Sequence, residues 1–212
     1  MSSHGSEKTL QPHVDMADLP LFNNYLHPSV ISPDTLSLFC IKQDKTVPTD
    51  LIKLDDVLLK LNMSTIEVLM MPIFKIERAE SFIVNGKNSI MKNKPILEKD
   101  NYGNFVSRFN AQKVFCDYDI GKSAINAFKK ALSANDIINS FYLQQGDFLL
   151  FKNKRLLHSR KHFTPRFDGH DTWLIRIFSL YQQPDVQILL SNKDITHLNT
   201  EHSAFSATPA VT

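Results

Sequence analysis

Cysteine is scarce in this chain: Cys40 and Cys116 are the two present in 212 residues. That is too few for a disulfide framework in a protein long enough to build its own core, so both read as buried thiols of a reducing compartment, and the expected location is the cytoplasm. No apolar run approaches the roughly 18 residues of a membrane-spanning helix. The opening MSSHGSEKTLQPHVD has no basic stretch followed by an apolar one, so no secretory leader is expected. Charge of one sign is missing too. The 24 Lys+Arg against 22 Asp+Glu leave a formal net charge of +2, which is no footprint for a dedicated binder of nucleic acid or acidic membranes, and neither is expected as a partner. Repeats and low-complexity tracts are absent, and six glycines are few. What the chain does have is 42% hydrophobic residues and 15 Phe, the composition of a globular domain and not of a disordered or collagen-like chain.

Residues 1–8 and 196–212 are polar or small and without apolar periodicity, so they read as flexible ends around one domain over 9–195. Apolar, β-branched and aromatic runs predict strands at 36–41, 73–76, 82–84, 114–118, 148–151 and 173–181. Alternation along the last of these puts Trp173, Ile175 and Ile177 on one face and Leu174, Arg176 and Phe178 on the other. Arg176 therefore points among apolar neighbours, which calls for an anionic partner. Ser64 and Glu67 fit a capping box opening a helix over 65–71 that Pro72 ends. Ala124, Phe128, Ala131 and Leu132 mark an amphipathic helix within 122–134, and the same period is less clean over 50–61. Many strands with few helices predict an α+β, mainly β domain built as a barrel or sandwich.

Two segments can carry chemistry. In Pro12-His13-Val14-Asp15, an extended backbone places an imidazole and a carboxylate on the same side, able to chelate one metal ion. Alone, such a triplet is more often a solvated loop. Residues 146–160 form a turn, an apolar strand and then His158, which alone is more often a satisfied core histidine. Taken together, two histidines and one carboxylate make the facial triad of non-haem Fe(II) oxygenases, which leaves open positions where a chelating co-substrate and O₂ meet.

The run GDFLLFKNKRLLHSRKHFTPRFDGHDTWLIR, residues 146–176, resembles the distal-histidine signature of the clavaminate synthase-like branch of the taurine dioxygenase (TauD/TfdA) superfamily. The likeness continues in PHVDMADLP and in HPSVISPDTLSLFC leading to Thr49. It implies a double-stranded β-helix, a cupin-like jelly roll with a few flanking helices. It also implies an iron(II)- and 2-oxoglutarate-dependent dioxygenase that uses O₂ to hydroxylate an amino-acid-like small molecule, free or carrier-bound. His13, Asp15 and His158 match the metal ligands, and no catalytic residue beyond them is expected. Thr49 falls where a threonine helps hold 2-oxoglutarate. Arg176 matches an arginine facing the substrate carboxylate and is also a candidate for the co-substrate. Asn110 and Gln112 lie near the side-chain readers of basic-amino-acid hydroxylases, and their neutrality speaks against arginine or lysine as substrate. Asp15 favours hydroxylation over halogenation, which needs that ligand position vacated.

The chain departs from the family pattern twice. The arginine that pairs with the distal carboxylate of 2-oxoglutarate stands in an Asp-Arg-Trp-Leu context, where this chain reads Asp171-Thr172-Trp173-Leu174. A buried carboxylate without a cation costs on the order of several kcal/mol, so Arg176, Arg166 or His170 would have to stand in. Family members are also longer ahead of the His-X-Asp triplet, and an exposed N-terminal edge would be open to cover by a second copy. The competing reading is a degenerate, non-catalytic relative that keeps the β-helix and the metal but not the co-substrate chemistry. A more remote one is a cupin-like enzyme using O₂ without 2-oxoglutarate.

Overall fold

Most of the apolar runs form strands, and the strands Thr35–Lys42 and Thr49–Lys53 carry the most buried residues. The structure, a computed structural model, describes residues 9–22, 31–44, 46–83, 90–164, 166, 168 and 171–181; the expected flexible ends, 1–8 and 196–212, lie outside them. In chain order the strands are β1 (Leu10–His13), β2 (Thr35–Lys42), β3 (Thr49–Lys53), β4 (Phe74–Glu77), β5 (Ile90–Lys94), β6 (Leu97–Lys99), β7 (Phe105–Ser107), β8 (Val114–Cys116), β9 (Ile138–Phe141), β10 (Phe148–Lys152), β11 (Leu156–Arg160) and β12 (Trp173–Ser179). The α-helices are α1 (Leu54–Leu58), α2 (Met63–Leu69) and α3 (Asp119–Leu132).

Every named pairing is antiparallel. The sheet ordered β1-β11-β3-β9 and the sheet ordered β10-β2-β12 carry the site, while β5-β4-β8 and β6-β7 form smaller sheets. Alternation decides what each face of the first sheet meets. Ile52 and Leu157, paired across β3 and β11, join the core under the helices with Val57, Leu69, Ile125 and Phe128. Leu51, one residue away and on the opposite face, packs instead with Leu36, Leu38 and Cys40 of β2 and Phe151 of β10. The first sheet is thus held between helices on one side and the second sheet on the other, as in a jelly roll, and the fold is mainly β as the composition and pattern predict.

Sequence and structure differ locally. Helix α2 begins at Met63, and its cap is Asn62, not Ser64: the Asn62 side chain accepts the Thr65 N–H at 2.8 Å, and the Ser64 hydroxyl donates to the same oxygen at 3.0 Å. Asn and Ser are near-equal caps, and the one reached first by the chain takes the role. The strand expected at 82–84 is not one at its first residue, because Phe82 closes a 3₁₀ turn, Glu80–Phe82; residue 84 lies outside the described residues. The weak helical period over 50–61 resolves into a strand, β3, followed by the short α1. Helix α3 starts earlier than expected, with Asp119 in its first turn pairing with Lys122 at 2.9 Å, a placement that favours the positive end of the helix.

Gly121 lets α3 lie against β8, since a Cβ there would run into both Sγ and Cβ of Cys116. Cys116 is fixed on its strand and cannot retreat. Gly121→Ala is therefore expected to destabilise the protein: overpacking costs about 1–3 kcal/mol and outweighs the helix-propensity gain of about 1 kcal/mol. A lowered urea midpoint at unchanged slope would show it.

Candidate metal centre

Antiparallel pairing of β1 with β11 sets His13 opposite His158, so two imidazoles from distant parts of the chain share one sheet face with ring centroids 4.1 Å apart. The register shifts between Leu10 and His13, the kind of irregularity that re-aims a side chain beside a site. Beyond His13 the chain turns: Val14 donates its N–H to the Phe109 carbonyl at 2.9 Å, and Met16 takes a left-handed φ of 52°. The turn brings the Asp15 carboxylate back against the rings, with Oδ1 3.6 Å from His13 Nε2 and Oδ2 3.5 Å from His158 Nε2. One ligand atom from each of the three residues lies within 4.8 Å of the others, and all three residues are buried.

The donor set suits a divalent ion. His13 Nδ1 stands 2.8 Å from the Gln11 carbonyl, which can only accept, so the proton of the neutral ring is on Nδ1 and the Nε2 lone pair faces the carboxylate. At 3.5–3.6 Å the imidazole–carboxylate contacts are too long for good hydrogen bonds. Burial and the adjacent His13 push His158 down from 6.5 to about 4, so it is a neutral ligand at physiological pH. Among the described residues His158 Nδ1 is buried without a hydrogen-bond partner, so packing, and not the second-shell acceptor usual for a metal-ligating histidine, orients this ring. Burial alone would raise the Asp15 pKa, but His13 and His158, which can donate to the carboxylate when protonated, and the Arg176 charge outweigh it and hold the carboxyl well below the usual range. Two neutral imidazoles and one carboxylate are the ligands of the Fe(II) facial triad.

Arg176 faces inward from β12, its Nη1 3.2 Å from both Asp15 oxygens. The guanidinium lies 4.9 Å from the Phe82 ring centroid and 5.2 Å from that of Phe178, two faces that hold its plane. The anionic partner its position called for is Asp15 itself. Thr49, buried, stands opposite Arg160 across β3 and β11, and alternation puts it on the same face as Leu51 and His158. Asn110 is buried beside His13, with which it forms an isolated bridge, and its side chain accepts the Gln112 N–H at 3.0 Å. Gln112 is exposed and joins this turn through its backbone. The Thr172 hydroxyl accepts the Asp44 N–H at 3.0 Å. Arg166 is half exposed and pairs with Asp168 at 3.3 Å and Asp44 at 3.6 Å, away from the triad, and His170 lies outside the described residues. Two further contributors have roles with no periodic signal in the sequence: Phe82, whose ring faces the Arg176 guanidinium, and Asn153, whose side chain bonds the Asp15 backbone.

The His158 shift has a sign that can be checked. A group whose pKa is lower folded than unfolded binds protons more readily in the unfolded chain, so metal-free protein is expected to lose stability as pH falls from 6.5 to about 4. The loss is on the order of a few kcal/mol. Chemical melts across that window would register it, and His158→Gln would remove this part of the slope.

The family model "Taurine catabolism dioxygenase TauD, TfdA family" matches residues 72–178, a span that contains His158 and Arg176. L-lysine 3-hydroxylase of Catenulispora acidiphila is 29% identical over 194 residues, which cover 84% of this chain and 49% of that protein. Enduracididine beta-hydroxylase of Streptomyces hygroscopicus is 26% identical, covering 82% of this chain and 53% of its own. Among solved structures, asparagine oxygenase with Fe(II), 2S,3S-3-hydroxyasparagine and succinate superposes with a TM-score of 0.67 at 24% identity, covering 82% of this chain and 50% of its own. The non-heme iron oxygenase OrfP with Fe and alpha-ketoglutaric acid gives 0.62 at 26% identity, covering 84% of this chain and 51% of its own. The chain spans about half the length of these relatives.

Proposed function

This chain belongs to the taurine catabolism dioxygenase TauD, TfdA family, and from that premise we propose that it is a non-haem Fe(II)- and 2-oxoglutarate-dependent oxygenase hydroxylating an amino-acid-like small molecule, free or carrier-bound. The observation that carries this reading is the convergence of His13, Asp15 and His158, from segments far apart in sequence, on one buried point. Iron, when bound there, supplies O₂ activation coupled to conversion of 2-oxoglutarate into succinate and CO₂.

The chain's own residues do the rest. His13 and His158 offer neutral Nε2 lone pairs, and Asp15 offers the charge. Arg176 spends one nitrogen on Asp15 and keeps further N–H donors for an incoming carboxylate. Its side chain is 33% exposed, so such a carboxylate can reach it from solvent. Thr172 supplies no charge and is engaged by Asp44, while Arg176, which touches Asp15, is a cation placed for the carboxylate of 2-oxoglutarate or of the substrate. The Thr49 hydroxyl lies on the same sheet face. Asn110 and Gln112 would meet a substrate side chain as neutral groups. Relatives named for hydroxylating lysine and enduracididine support an amino-acid-like substrate. The cytoplasmic reading is supported by two free, buried cysteines.

Purified protein given Fe(II), 2-oxoglutarate, O₂ and a panel of amino acids is expected to form succinate at a rate that chelation of iron abolishes. Iron binding without succinate would favour the non-catalytic relative, and oxygen uptake without succinate the enzyme that dispenses with 2-oxoglutarate.

A further inference from the structure

We infer that Asn153 is a positioning residue for the metal centre, setting where the Asp15 carboxylate stands relative to His158. The inference rests on the reading of His13, Asp15 and His158 as a metal site.

Asn153 is completely buried in the turn between β10 and β11, five positions before His158. Its amide grips the backbone of Asp15 from both sides. Oδ1 accepts the Asp15 N–H at 2.9 Å, and Nδ2 donates to the Asp15 carbonyl at 3.0 Å, across 138 positions of sequence. The same Nδ2 donates to the Pro33 carbonyl at 3.2 Å, and Ser32 Oγ adds a bond to the Asp15 carbonyl at 3.3 Å. The amide is itself fixed, since the Asn153 N–H donates to the Asp34 carbonyl at 2.9 Å.

This grip falls where the backbone most needs holding. Met16, the next residue, has a φ of 52°, a left-handed conformation that costs a non-glycine residue about 1 kcal/mol or more. The turn aims the carboxylate back at the histidines, and both backbone polar groups of Asp15 would be buried without these partners. Only a primary amide presents a donor and an acceptor at the spacing of a peptide's own N–H and C=O. Asn153 thereby ties the turn that follows β1 and carries Asp15 to the turn that leads into the strand of His158. An error in that tie moves one ligand against another, and a ligand set is sensitive to such shifts.

The test is anaerobic titration of Co(II), read by its ligand-field absorption, into wild type, Asn153→Ala, Ser32→Ala and Lys154→Met. Lys154 sits in the same turn, but its Nζ bonds the Leu21 carbonyl at 2.7 Å and Asp34 at 2.6 Å, not Asp15. Asn153→Ala is expected to bind Co(II) about ten- to a hundredfold more weakly with altered bands. Lys154→Met should lower the melting temperature yet keep wild-type affinity and spectrum. Ser32→Ala, which leaves the two-point grip in place, should bind severalfold more weakly, and it tests the claim in a folded protein if Asn153→Ala does not fold. Wild-type affinity and spectrum in both Asn153→Ala and Ser32→Ala would overturn the inference, as would an equal loss in Lys154→Met. If wild type binds no Co(II), or if His13→Ala binds it as well as wild type does, the metal reading falls and this inference with it.

Discussion

Asp15→Ala is expected to abolish Fe(II)-dependent succinate formation and to weaken metal binding by about a thousandfold or more. Outer-shell changes typically cost ten- to a hundredfold in affinity, and Asp15 is the one anionic member of the set. The substitution removes more than a ligand. Asp15 stands against both imidazoles, whose centroids are 4.1 Å apart, and it balances Arg176 at 3.2 Å. Without it, three nitrogenous groups face one another with no negative charge between them. Asp15→Asn separates the effects: its shape and one ligand oxygen persist while the charge is lost. Metal binding should fall for both variants, further for alanine, while the metal-free fold survives better with asparagine. Metal affinity in Asp15→Ala within tenfold of wild type would show that Asp15 is not a ligand.

Arg176→Met is expected to raise the KM for one carboxylate-bearing ligand by about a hundredfold. That corresponds to about 3 kcal/mol, within the range for removing one partner of a desolvated charge pair. Methionine keeps the packing against Phe82 and Phe178, so the loss reports on charge. The choice of ligand is informative because Thr172 cannot help. If the affected ligand is 2-oxoglutarate, Arg176 does the work of the arginine that Thr172 replaces, and Thr172→Arg should restore much of the affinity in the Arg176→Met background. If it is the substrate, the co-substrate is held by the metal and the Thr49 hydroxyl, and its KM should stay near wild type. Unchanged KM for both would place Arg176 in a structural role, as the counter-charge of Asp15 alone.

Much of this arrangement was legible because it is periodic or chemically distinctive. Apolar, β-branched and aromatic runs identified β2, β10 and β12, and alternation along β12 pointed Arg176 inward; spacing of Ala124, Phe128, Ala131 and Leu132 marked α3. Two histidines and a carboxylate were a recognisable ligand set before any geometry was known, and the fold brings all three together. Less legible were features that depend on which of two adequate groups wins locally. Asn62 takes the cap that Ser64 could have filled, and Phe82, a good strand former, closes a turn. The grip of Asn153 on Asp15 leaves no periodic trace, because side-chain bonds to a distant backbone follow from the fold and not from neighbours in sequence. The same holds for Thr172, whose hydroxyl meets the Asp44 N–H, and for the Asp15 partner of Arg176. Asn110 sits beside His13, but its side-chain oxygen is committed to the turn that carries Gln112, a local use that its position in the chain does not announce.

The central claim is that His13, Asp15 and His158 hold iron in a form that accepts a 2-oxo acid. The most direct measurement is an anaerobic titration of the protein with Fe(II) and then 2-oxoglutarate, followed in the visible region, with His13→Ala alongside. The account predicts the metal-to-ligand charge-transfer band of a chelated 2-oxo acid in the wild-type protein and its loss in His13→Ala. Iron bound with no such band, or a band that survives in His13→Ala, would contradict it.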